Sequence, residues 1–179
     1  MKAQIMVAAA FVGLLNCSAW AADYPAYVTD KNLYATTDLR GKQAPALSVE
    51  KWLSGEAPKT SGKVVLIDLW ATWCGPCREL VPELNDYQKK FSNDLVVIGI
   101  SDEPADTVEK FMKTSHMQYN VAIDASKGSM KHQLGVSGIP HVLIMSPDGI
   151  VRWQGFPGSG EDPLTEKTIA QIIEASKSH

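Results

Sequence analysis

The chain has 179 residues and a formal charge of −3, with 17 Lys and Arg set against 20 Asp and Glu. That mild acidity, with no basic patch and no pattern of stacking aromatics, excludes nucleic-acid binding as the main activity. Without its first 21 residues the chain still has about 158, which suffices for one domain with a proper core.

The first 21 residues read as a secretory signal peptide. Lys2 is their only charge, Ala3 to Leu15 are apolar, and Ala19-Trp20-Ala21 is a small-x-small cleavage site before Ala22. The apolar run is too short to span a bilayer comfortably, so the cleaved protein is not expected to cross one. An uncleaved membrane anchor is the minor alternative. Cys17 belongs to the discarded peptide; its other reading, a lipid attachment site, is opposed by Asn16, where a small residue would be wanted. Cleavage removes one Lys and no acid, taking the charge from −3 to −4, and leaves only Cys74 and Cys77. A lone close pair of thiols suits an oxidising compartment, where a third would invite wrong pairings. The expected location is periplasmic or otherwise extracytoplasmic.

Residues 22–43 are polar and aperiodic and read as an irregular extension before a domain at 44–179. Leu47, Val49, Trp52 and Leu53 are the first cluster able to reach a core. A strand over 63–70 is apolar on both faces, as in a central parallel strand. A helix over about 75–91 follows, with Leu80, Leu84, Tyr87 and Phe91 on one face and an expected kink at Pro82. Strand 95–100 is again apolar. Pro104 opens a helix with Val108, Phe111 and Met112 on one face, and a short strand is expected at 119–123. A short helix ends at Gly135. Strands 141–146 and 150–154 are joined by the hairpin signal Ser146-Pro147-Asp148-Gly149. Asp162-Pro163 is expected to cap a last helix burying Ile169, Ile172 and Ile173. Alternating strands and helices with one terminal antiparallel hairpin make an α/β protein.

Between the first long strand and its helix stands Trp73-Cys74-Gly75-Pro76-Cys77. Two cysteines delivered by a strand to a helix start have the layout of a dithiol/disulfide exchange site. Free N–H groups and the helix dipole there favour a thiolate at Cys74, expected to stand exposed. Cys77, one turn on, can attack a mixed disulfide formed at Cys74. Pro76 suits the first helical turn and Gly75 keeps the approach to Cys74 open. A zinc site lacks ligands: there is no second Cys pair, and His116, His132, His141 and His179 are scattered. Covalent haem attachment would need His where Arg78 stands. A merely structural disulfide would close little chain entropy.

The run from Ile67 to Cys77, with Gly138-Ile139-Pro140 later, resembles the thioredoxins. With the signal peptide and an inserted helix–strand segment at roughly 102–124, the chain is similar to the TlpA/ResA/DsbE branch of extracytoplasmic thioredoxin-like proteins. The resemblance implies a thioredoxin fold, a central mixed sheet flanked by helices. It implies Cys74 as nucleophile, Cys77 as buried resolving thiol, and Asp68 as the carboxylate that takes the resolving proton, where many members of the branch carry Asn. Pro140 matches a cis-proline facing the cysteines, leaving Ile139 to pair with an extended substrate, with Trp73 on the rim of the site. His141 replaces a Thr and could donate to substrate, tune the thiolate, or be solvated. Glu103 matches an acidic residue of the insertion, but helix capping is the reading preferred here.

The expected activity is thiol–disulfide exchange with protein disulfides, in the reducing direction suggested by the Gly-Pro dipeptide. The cysteine pair is its own redox group, so no cofactor or metal is expected. A membrane thiol donor is implied as a partner, and a monomer is expected. Two rivals remain. A thiol peroxidase would want Thr where Ala71 stands, and a copper- or partner-binding module would use the two sulfurs as soft ligands.

Overall fold

The computed structural model describes residues 23–124, 126 and 129–178, so the signal-peptide and Cys17 readings lie outside the described residues. Its elements are β1 (Lys51–Trp52), β2 (Val64–Trp70), α1 (Gly75–Lys90), β3 (Leu95–Ser101), α2 (Ala105–Ser115), β4 (Asn120–Ile123), α3 (Met130–Gln133), β5 (His141–Met145), β6 (Val151–Gly155) and α4 (Glu166–Ser176). The strands among the described residues form one sheet in the order β1-β4-β3-β2-β5-β6. β2, β3 and β4 run parallel, while β1, β5 and β6 each pair antiparallel with their neighbours.

β2 and β3 are central because every one of their residues is buried, which only a sheet covered on both faces can satisfy. Alternation along β2 sends Leu66 and Trp70 to one face, with Cys77, Leu84, Val108, Ile169 and Ile172. Val65, Ile67 and Leu69 go to the other, with Met130, Leu134, Leu143 and Val151. α1, α2 and α4 thus cover one face and α3 covers part of the other. The Ser146–Gly149 turn closes as expected, with Gly149 at φ 80 and its N–H donating to the Ser146 carbonyl at 2.8 Å.

Several local readings are corrected. β1 is an edge strand of two residues, too short to leave a periodic signal. Leu47 is exposed rather than part of a core cluster, although Trp52 and Leu53 pack partly against the domain. α4 is capped by Thr165, whose side chain accepts the Thr168 N–H, and not by Asp162.

Asp162 instead pairs with Lys31, whose buried ammonium also sits 4.1 Å from the centre of the Trp153 ring. The polar stretch before residue 44 is stitched to the sheet at other points too. The Leu39 N–H donates to Gln154 Oε1 at 2.8 Å, and Gln154 Nε2 donates to the Thr37 carbonyl at 3.0 Å. Ala35 bridges Val136, and Gln43 bridges Ile150.

Candidate active site

β2 ends at Trp70, and the chain turns through Ala71, Thr72 and Trp73 into α1. Cys74 is the N-cap of that helix, with Gly75 and Pro76 in its first turn. An N-cap side chain meets the unpaired amides of the first turn, and here the Cys74 Sγ accepts the Cys77 N–H at 3.2 Å. The two sulfurs are bonded at 2.04 Å. Nothing lies within 4 Å of where a Cβ on Gly75 would stand, so the approach beside the disulfide is open, as expected.

Cys74 does not stand exposed: in the disulfide it is 4% accessible and Cys77 1%. Its N-cap position turns Sγ inward, toward Cys77 and to 3.6 Å from the Ile139 carbonyl oxygen. The exposed group is the neighbouring Trp73, at 69%, on the rim. The Ile139–Pro140 bond is cis, and this turn faces the disulfide.

Asp68 lies mid-strand in β2, registered between Gly99 of β3 and Val142 of β5. Its side chain shares the face of Leu66 and Trp70, the face against which Cys77 packs. Its Oδ1 has no hydrogen-bond partner, and burial pushes its carboxyl up to about 8. A carboxylic acid in that range can hold or release a proton near neutrality.

Glu103 is not a helix cap. Pro104 occupies the N-cap of α2, while the Glu103 carboxylate reaches across to Thr72. It accepts the Thr72 N–H at 2.6 Å and its hydroxyl at 2.8 Å, with Ser101 Oγ donating at 3.2 Å. An acid preceding Pro at a helix start reads as a cap; only the tertiary turn of the chain reveals the other use. Thr72 was therefore missed as part of the site's framework.

His141 is neither solvated nor turned to the groove. Opposite Leu69 in register, it is fully buried, with Nε2 3.1 Å from Gln154 Nε2. Burial pushes its imidazolium down to about 4, and the nearby Lys31 charge adds to that, so it is neutral near neutrality.

A mixed sheet of this order, with a disulfide at the head of α1 against a cis-proline turn, defines a thiol–disulfide oxidoreductase with a thioredoxin-like fold. The chain belongs to the AhpC/TSA family, which it matches over residues 40–154. It is similar to the thioredoxin-like protein YneN of Bacillus subtilis, at 32% identity over 69% of this chain and 79% of that one. The thiol:disulfide interchange protein HelX of Rhodobacter capsulatus is 31% identical over 95% of this chain and 90% of that one. Among solved structures, one named as a thiol:disulfide interchange protein DsbE from Chlorobium tepidum superposes with a TM-score of 0.62 at 29% identity. That alignment covers 76% of this chain and 97% of that one. No helix among the described residues is long and apolar enough to cross a membrane.

Proposed function

We propose that the protein reduces disulfides of protein clients in the cell envelope by cycling Cys74 and Cys77 between dithiol and disulfide. The Cys74 thiolate attacks one sulfur of the client, forms a mixed disulfide and releases the other sulfur as a thiolate. Cys77 then attacks Cys74, the client leaves reduced, and two electrons have passed from the cysteine pair to the client. Asp68 takes the proton from Cys77 during that second attack. Ile139 pairs with the client backbone beside the cis-proline, and Trp73, Gly75 and Pro76 border its path. No further redox group enters this cycle, and a membrane thiol donor restores the dithiol. The protein acts as a monomer, exported by its N-terminal segment.

The observation that carries the reading is the disulfide capping α1 with the Cys77 N–H aimed at Cys74 Sγ. Once the bond is reduced, that donor and the helix dipole favour a thiolate at Cys74. Against the peroxidase alternative, Thr72 is committed to Glu103 through its hydroxyl and is not free to orient a peroxide. The test is Cys77→Ser in the native host, where clients should stay trapped on Cys74 as mixed disulfides. A potential above about −180 mV would overturn the reducing direction.

A further inference from the structure

We propose that Tyr34 sets client specificity: with Phe156 it forms a subsite for an apolar, preferably aromatic, side chain of an extended client segment whose disulfide lies over Cys74. The inference rests on the exchange reading above and narrows its substrate class.

The geometry ties this subsite to the reacting sulfur. Ile139, whose carbonyl oxygen is 3.6 Å from Cys74 Sγ, also walls a hollow of about 200 Å³ together with Tyr34, Gly138 and Phe156. A side chain lodged there belongs to a residue close to the client cysteine. Gly138 lets Tyr34 pack directly against the backbone beside Ile139: a Cβ on it would come within 3.1 Å of Tyr34 Cβ. The Tyr34 and Phe156 rings meet edge to face, 6.4 Å between centres and 73° between planes, which leaves aromatic faces for a third ring.

Tyr34 is also held where it is against its backbone preference. Its φ of 51 lies in the left-handed region, which disfavours a bulky residue. Asn32 compensates by accepting the Tyr34 N–H at 2.9 Å. Ser137 fixes the Tyr34 carbonyl with its N–H at 2.8 Å and its hydroxyl at 3.1 Å. Yet the residue is 47% exposed, so core packing does not account for the placement.

Phe156 is shared with a second hollow, of about 230 Å³, bordered by Pro76, Pro140, Glu79 and Glu83. The groove therefore has an aromatic end and an acidic end, joined at Phe156. Glu83 accepts from the Tyr87 hydroxyl, and Glu79 is exposed on α1. A client with a ring and a Lys or Arg near its cysteine matches both ends.

The test uses short peptides carrying one cysteine as a nitrothiobenzoate mixed disulfide. Each turnover of the reduced protein forms the Cys74–Cys77 bond and splits the peptide disulfide into peptide thiol and coloured thiolate. Phe is walked through the positions flanking the cysteine and compared with Ala, and Lys is compared with Glu. The expected result is a single-turnover second-order rate constant of the reduced protein about tenfold higher for the best Phe peptide than for its Ala counterpart. Tyr34→Ala and Phe156→Ala should each bring that ratio close to one, while Tyr34→Phe retains it. Because each variant's Phe rate is divided by its own Ala rate, partial loss of folded protein cancels. Lys should outpace Glu severalfold at low salt, and the difference should fade at high salt. A ratio of one in the wild type, or a ratio unchanged by Tyr34→Ala, overturns the subsite. Equal Lys and Glu rates overturn the acidic end. If the reduced wild type fails to split even dithiobis-nitrobenzoate, the exchange reading falls and the subsite with it.

Discussion

Glu103 grips Thr72 at two points, accepting its backbone N–H at 2.6 Å and its hydroxyl at 2.8 Å, and so fixes the turn that presents Cys74. The inserted segment is thereby tied to the residue two places ahead of Cys74. Glu103→Ala removes both acceptors and strands the Thr72 N–H, and is expected to cost about 1–3 kcal/mol in denaturant unfolding. Thr72→Val removes only the hydroxyl and should cost less, about 1 kcal/mol. Exchange rates should fall in the same order. Two variants as stable and as fast as the wild type would show that the turn holds itself.

Asp68→Asn separates two roles of one buried carboxyl. Its folded pKa, raised to about 8, lies above the ordinary carboxylate range. Between roughly pH 4 and 8 the folded protein therefore keeps a proton that the unfolded chain has released, and stability falls as pH rises through that window. The Asn variant loses this slope, so its Tm should exceed that of the wild type more at pH 9 than at pH 5. Resolution of the mixed disulfide at neutral pH should slow by about a hundredfold, the scale of a lost general base. A variant as fast as the wild type would remove Asp68 from the proton path.

His141 has the opposite sign. Held down to about 4 from an ordinary 6.5, it binds fewer protons folded than unfolded in that interval. Its contribution is present above pH 6.5 and is lost as pH falls toward 4, amounting to about 3 kcal/mol. His141→Gln should flatten the acid limb of the stability profile. In the wild type the slopes of His141 and Asp68 oppose one another between about pH 4 and 6.5, and above that only the Asp68 slope remains. Urea midpoints measured from pH 4 to 9 on the two single variants check both signs.

Lys31 and Asp162 form a pair in which the Lys31 side chain is 1% accessible and the Asp162 side chain 18%. Asp162→Ala leaves an ammonium buried without its anion, at an expected cost of about 3 kcal/mol. Lys31→Met leaves an acid that still reaches water and keeps an apolar stem against Trp153, so it should cost clearly less. Equal losses from the two substitutions would contradict the asymmetry of burial.

The parts legible in the sequence were those whose signal is local. β2 and β3 are runs apolar on both faces, and Cys74, Gly75, Pro76 and Cys77 form a continuous motif, so strand, turn and helix followed from neighbours alone. Glu103, His141 and Asp162 were misread because each side chain is committed to a residue far along the chain or across the sheet. An acid beside Pro looks the same whether it caps a helix or reaches back to Thr72. The extension looked irregular because its partners are remote: Leu39 bonds Gln154 across 115 positions, and Thr36 bonds Leu134 across 98. No period of hydrophobicity encodes such a contact.

Anyone preparing a trimmed version that begins at residue 44 would be handling a damaged molecule. The cut would strip Gln154 of its backbone partners, open a route for water to His141, and bare one side of Trp153. Stickiness or slow kinetics in that fragment would reflect the wound and not the native enzyme, so preparations should retain the chain from Asp23 onward.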